Sequence, residues 1–308
     1  MKFTIFQESR IGRRRNNQDR VAYSYSREAL LMIVADGMGG HLHGEVAAQI
    51  AVQFVAHAFQ REARPSLPDP VLFLSRALSN AHHAILDYAF DKALEDAPRT
   101  TVVACIIQDS QAYWAHAGDS RLYLLRGGEI AARTKDHSRV QLMMDQGLLD
   151  AEGAAKHPSR NRIYSCLGGS HSPQIEFSKR TPLYQGDVIA ICSDGVWGPL
   201  DDPTMIVGMS RGVVMQSVPR VMDLAEERGG PTCDNLSLIA INWEESYAED
   251  APGTVSTRTM ELGAFTTQME GFLRTRPAPG TGHEDLSDDE IERAIREINS
   301  AIQKYSKE

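Results

Sequence analysis

Two apolar runs constrain this chain more than any other feature. "ALLMIVADGMGG" holds an apolar run that ends in Asp36-Gly37, and "DVIAICSDGVWG" one that ends in Asp194-Gly195, each glycine reading as a sharp turn of the backbone, and neither run alternates polar with apolar residues. A strand with one wet face alternates; an unbroken apolar run is a strand covered on both faces. The chain must therefore build sheets with material packed on either side. With 308 residues, 42% of them hydrophobic, it can bury a sizeable core.

The rest of the chain says what covers those sheets. "KFTIFQES" reads as a first strand and "RIGRRRNNQDR" as a basic, polar turn. From Gly44 the spacing becomes helical, with Val46, Ala47, Ile50, Ala51, Phe54 and Ala58 on one face. Asp69-Pro70 is an N-cap followed by proline at the first helical position, and it predicts a helix through Leu74, Leu78, Ala81 and Ile85. From Thr100, "TTVVACIIQ", "AYWAHAGDSRLYLLR", the Gly127-Gly128 turn and "EIAART" read as an antiparallel meander. "SRVQLMMDQGLL" reads as a helix and "HPSRNRIYSCLGG" as a surface excursion. Helical spacing returns over 203–228, and "NLSLIAINW" is the last clear strand. Strands separated by such helices predict sheets with helices on their outer faces.

After Trp243 the composition changes. Residues 1–243 read as one catalytic-sized unit, 244–286 as a flexible Thr/Gly/Pro/acid-rich linker, and 287–308 as an amphipathic helix. Ser287 and Glu290 form a capping box, and Ile291, Ile295, Ile298, Ile302 and Tyr305 make a stripe that either packs back on the chain or docks a partner. A net charge of -9 argues against nucleic acid or an anionic membrane surface as the main partner. No apolar stretch approaches the ~20 residues of a membrane span, and the N-terminus lacks the apolar segment of a signal peptide. The expectation is a cytoplasmic protein. Cys105, Cys166, Cys192 and Cys233 are far apart and read as free thiols, not as disulfides or a zinc site.

Beside Asp36 and Asp194, three further acids sit at element ends: Asp19 in "NNQDR", Asp119 in "HAGDSRLYLL" and Asp234 in "CDNLSLIAI". Five carboxylates gathered at one rim repel and raise one another's pKa, so such a cluster needs cations. An all-oxygen donor set suits Mg²⁺ or Mn²⁺ better than zinc. The pattern alone leaves a second reading open, in which these are ordinary turn aspartates.

In this order and spacing, "RRRNNQDR", "VADGMGGH", "TTVVACII", "HAGDSRLYLLRGGEI", "TKDHS", "ICSDGVWGPL" and "CDNLSLIAI" resemble the metal-dependent Ser/Thr protein phosphatases of the 2C type, the PPM family, and most closely its bacterial members. The resemblance covers roughly residues 3–243 and not the tail. It implies an α+β fold, a four-layer α-β-β-α sandwich of two antiparallel sheets flanked by helices. It implies hydrolysis of phosphoserine and phosphothreonine by a metal-activated water, with two Mn²⁺ or Mg²⁺ ions and a third, weaker one. Asp36 matches the carboxylate bridging two ions, with the Gly37 carbonyl on one of them. Asp194 and Asp234 match ligands of the other, and Asp119 matches the acid that shares the third, weaker ion with Asp194. Asp19 matches an acid that orients metal-bound water, and Arg14 the arginine that holds the substrate phosphate. The implied partners are phosphoproteins and a cognate bacterial Ser/Thr kinase.

Gln18 stands where many relatives carry Glu, which weakens a metal position there. Met38 stands where some carry His; His41 is then the candidate to protonate the leaving alkoxide, against an exposed loop histidine. His137 reads as a loop hydrogen-bonder, and 145–170 occupies the place of the family's flap. Two rivals remain: a phosphatase-like module that binds phosphoproteins without turnover, and a hydrolase of small phosphate esters.

Overall fold

The structure, a computed structural model, describes residues 1–38, 43–150, 153–154, 157–210, 212–245 and 266–270. Its strands are β1 (Phe3–Arg10), β2 (Asp19–Tyr25), β3 (Ala29–Met38), β4 (Arg99–Thr100), β5 (Val102–Gln108), β6 (Gln111–Ala117), β7 (Arg121–Arg126), β8 (Glu129–Arg133), β9 (Glu176–Phe177), β10 (Thr181–Pro182), β11 (Val188–Cys192), β12 (Leu236–Trp243) and β13 (Thr266–Glu270). The helices are α1 (Gly44–Glu62), α2 (Pro70–Asp91), α3 (Arg139–Asp145), α4 (Asp194–Trp197), α5 (Asp202–Ser210) and α6 (Val214–Gly229). One sheet runs β1-β12-β11-β7-β8; the other runs β10-β6-β5-β3-β2-β13, with β4 on β3 and β9 on β6.

Three apolar clusters make this a four-layer α-β-β-α sandwich. Along β3, Leu31, Ile33 and Ala35 pack with α1 and α2, while Leu30, Met32 and Val34 pack between the sheets against Ile189, Ile191, Ile239 and Trp243. Along β12, Leu236, Leu238 and Ala240 face α5 and α6. The unbroken apolar runs are thus the two middle layers, each strand buried toward a helix on one face and toward the other sheet on its opposite face. Each large side chain so buried contributes roughly 1.5–3 kcal/mol. The helix starting at Pro70 has the expected cap: Asp69 Oδ1 accepts from the amides of Val71 and Leu72, each at 2.9 Å.

Four features differ from the sequence reading. The stretch read as a turn ends in β2, whose Val21 and Tyr23 face the inter-sheet core while Ala22 faces the helices. The stretch from Thr100 is not one meander but two hairpins, because β6 belongs to one sheet and β7 to the other. The chain crosses between sheets at Gly118–Ser120, held by a 2.7 Å hydrogen bond between the Ser120 and Thr101 hydroxyls. Asp36-Gly37 is not a turn, since β3 runs on through Met38 to pair with β4. Within 244–286, Thr266–Glu270 pairs antiparallel with β2, Thr266 opposite Tyr25 and Glu270 opposite Val21. The helix expected over 287–308 lies outside the described residues. Among the described residues, no helix is long and apolar enough to cross a membrane.

Candidate metal centre

Five separate segments deliver the five aspartates to one place. Asp19 and Asp36 are direct cross-strand partners on β2 and β3, which puts their side chains on the same face of the sheet. Asp119 sits at the crossover between sheets, Asp194 opens α4 directly after β11, and Asp234 leads into β12. All four of the others act electrostatically on Asp36.

Close backbone packing explains the glycines. A Cβ on Gly37 would lie 2.2 Å from the Gly44 carbonyl oxygen, so glycine lets the start of α1 settle against β3. A Cβ on Gly195 would lie 1.9 Å from the Asn235 carbonyl oxygen, so glycine brings the start of α4, and Asp194 with it, against Asp234-Asn235. Asn235 then pins the β1–β2 loop. Its Oδ1 accepts from the Gln18 amide at 2.8 Å, and its Nδ2 donates to the carbonyls of Ile11 and Asn16 at 2.9 Å. That loop carries Arg14 to the rim, where Nε and a terminal guanidinium nitrogen donate to the two Asp234 oxygens at 2.7 and 2.6 Å.

The electrostatics are those of crowded carboxylates with too little positive charge. Burial, then the charges of Asp19 and Asp194, push Asp36 well above the usual carboxylate range. Burial does the same to Asp119, with Asp194 next. Asp194 is raised to about 6, by burial and then by Asp234. Asp19, 1% exposed, is raised to about 7, chiefly by burial and against the opposing hydrogen bond from Ser193. The Ser193 hydroxyl donates to Asp19 Oδ2 at 2.6 Å, yet Asp19 Oδ1 is buried with no hydrogen-bond partner. An ionised carboxylate with a bare, buried oxygen among four others calls for a cation. The donors are all oxygens, the set preferred by Mg²⁺ and Mn²⁺.

The structure thus brings together Arg14, Asp19, Asp36, Gly37, Asp119, Asp194 and Asp234. His41 lies outside the described residues. Gln18 turns toward α1, its Nε2 donating to Glu45 Oε2 at 3.2 Å. The residues that sequence reasoning missed are Ser193, Asn235 and Glu45, which act by holding the acids or their loops. Ser193 and Asn235 are chain neighbours of Asp194 and Asp234, and that adjacency was the available signal. All four thiols are pushed up, with burial the first cause in each, so none is a ready thiolate nucleophile.

The family profile for protein phosphatase 2C matches residues 6–229. The serine/threonine protein phosphatase PstP of Mycobacterium tuberculosis is 35% identical over 226 residues, 73% of this chain and 42% of PstP; the chain thus spans less than half the length of that relative. The protein phosphatase PhpP of Streptococcus pneumoniae is 32% identical over 245 residues, 77% of this chain and 96% of PhpP. Among solved structures, the catalytic domain of PstP in complex with two manganese ions is 31% identical with a TM-score of 0.67, covering 78% of this chain and 97% of that one. The Streptococcus agalactiae serine/threonine phosphatase gives a TM-score of 0.72 at 27% identity, over 79% of this chain and all of that one. The fold and the acid rim define a phosphatase-type α-β-β-α sandwich, and the chain belongs to the protein phosphatase 2C family.

Proposed function

We propose that this chain is a metal-dependent protein serine/threonine phosphatase. The observation that carries the reading is the convergence of five aspartates from five chain segments, with Arg14 beside them. In this reading Asp36, Asp119, Asp194, Asp234 and the Gly37 carbonyl hold Mn²⁺ or Mg²⁺, two ions and a third, weaker one. The bare Asp19 oxygen and the all-oxygen donor set fit those ions. When bound, they supply an activated water and neutralise phosphoryl oxygens.

The chain's own residues do the rest. Asp19 has one oxygen fixed by Ser193 and the other free. It is set to accept a proton from a water through Oδ1 and to orient it. Arg14, with a side chain 58% exposed, presents a planar fork that matches phosphate geometry. A phosphoester arriving from solvent competes with Asp234 for that fork. Crowding by the buried acids keeps a neutral or positive group near the reacting oxygens favourable.

The catalytic region in this reading is 1–243, followed by a linker over 244–286 and an amphipathic helix over 287–308 that either packs back on the catalytic region or docks a partner. The partners are phosphoproteins in the cytoplasm and a cognate Ser/Thr kinase. The test is phosphate release from phosphothreonine and phosphoserine peptides with Mn²⁺, run beside a small aryl phosphate. Peptide turnover supports the reading. Turnover of the aryl ester alone favours a small-ester hydrolase, and no turnover by folded, Mn²⁺-loaded protein favours a binding module.

A further inference from the structure

The aspartate rim makes no use of a second cluster, formed by His116 on β6, His137 after β8, and Glu176 on β9. One ligand atom from each lies within 4.8 Å of the other two, and the imidazole centroids are 4.5 Å apart. His116 is 2% and His137 3% exposed. His116 Nε2 lies 2.7 Å from the Lys135 carbonyl, which can only accept, so Nε2 carries the ring proton. Its Nδ1 is then a bare lone pair, buried with no hydrogen-bond partner. An imidazole that donates one N–H to a backbone carbonyl and leaves the other nitrogen bare is oriented as metal-binding histidines are.

His137 and Glu176 complete the set. His137 Nε2 and Glu176 Oε2 stand 3.5 Å apart. Ligands with bonds of about 2.1 Å around a tetrahedral ion stand roughly 3.4 Å apart. The Glu176 side chain is 57% exposed, which gives an ion a way in and lets the carboxylate adjust.

We infer that His116, His137 and Glu176 form a binding site for a zinc-type divalent cation, separate from the aspartate rim. Two imidazoles and one carboxylate, completed by a water, make a tetrahedral set that suits zinc, whereas Mg²⁺ and Mn²⁺ favour oxygen. Burial lowers the pKa of both histidines, which keeps them neutral and ready as ligands near pH 7. His137 Nδ1 accepts from the Gly118 amide at 3.4 Å, a long contact. With Nδ1 accepting there, Nε2 carries the ring proton toward Glu176; a cation on Nε2 takes the other tautomer, with the proton moved to Nδ1, which then no longer accepts from Gly118, and that contact opens.

The test is a Co²⁺ titration of the full-length, metal-stripped protein with excess Mg²⁺ present, read by visible absorption. Tetrahedral Co²⁺ on nitrogen ligands absorbs far more strongly than six-coordinate Co²⁺ among oxygens. The expected result is one equivalent of intense band, removed by Zn²⁺ and unchanged in Asp194→Ala. Glu176→Gln, at an exposed side chain where folding is not at stake, should weaken Co²⁺ binding by at least roughly tenfold, the floor for losing an outer-shell partner. His116→Ala should abolish the band. No intense band in folded wild type, a band indifferent to Glu176→Gln, or one lost in Asp194→Ala would overturn the assignment. None of these readouts depends on phosphatase turnover.

Discussion

Asp19→Asn separates the cost of the acid cluster from its use. A carboxyl whose pKa moves from 3.8 in the unfolded chain to about 7 in the fold destabilises the folded state once it ionises, by about 1.4 kcal/mol per pH unit of displacement. The sign follows from the raised folded value: below pH 4 there is no penalty, between 4 and 7 it grows, and above 7 it is complete at roughly 4 kcal/mol. Asparagine keeps an acceptor for the Ser193 hydroxyl and removes the charge that, after burial, contributes most to raising Asp36. It also buries an amide whose own cost, roughly 1–3 kcal/mol, is independent of pH. In chelator, the stability of Asp19→Asn relative to wild type should therefore rise by about 3 kcal/mol between pH 5 and pH 8. In thermal melts that corresponds to roughly 2–4 °C per kcal/mol for a domain of this size. Urea unfolding at the two pH values gives the same comparison without heating. A gap between the two proteins that does not change with pH would refute the reasoning. Added Mn²⁺ should stabilise wild type more than the variant, because the ions bind only the native, ionised cluster.

Other substitutions probe the frame around the acids. Arg14→Ala should lower kcat/KM for a phosphopeptide by roughly 10–100-fold, the value of about 1.5–3 kcal/mol for hydrogen bonds to a charged group, with Arg14→Lys intermediate because it keeps charge without the fork. Gly195→Ala should destabilise by about 1–3 kcal/mol in urea unfolding, since its Cβ would meet the Asn235 carbonyl oxygen at 1.9 Å. Gln18→Glu sets a carboxylate against Glu45 in place of the amide that donates to it at 3.2 Å. It should lower stability in chelator and bind Mn²⁺ more tightly by calorimetry; weaker Mn²⁺ binding would contradict this.

What the sequence revealed depended on how local the cause was. Leu30–Val34 announced a doubly buried strand because both neighbours of β3, a helix layer and a second sheet, demand apolar residues. Asp69-Pro70 announced a helix because its cap is satisfied within three residues. By contrast, β2 was hidden because its first residues, Asp19 and Arg20, are polar and belong to the rim. The split of the supposed meander into two sheets depends on packing across the sandwich, which no run of residues displays. The acids themselves stood out, but not the pairing of Arg14 with Asp234, which joins positions 220 residues apart. The His116–His137–Glu176 cluster draws on β6, a loop and β9, and no single motif contains it.

The central claim is that Asp36, Asp119, Asp194 and Asp234 hold the ions that hydrolysis requires, with Asp19 acting on the water beside them. The most direct measurement is phosphate release from a phosphothreonine peptide as a function of Mn²⁺ bound, in wild type and in Asp36→Asn. The account predicts no turnover in chelator, turnover that grows as the rim fills, and loss of both tight Mn²⁺ binding and turnover in Asp36→Asn. Full turnover in chelator, or an Asp36→Asn variant that binds Mn²⁺ and turns over like wild type, would contradict it.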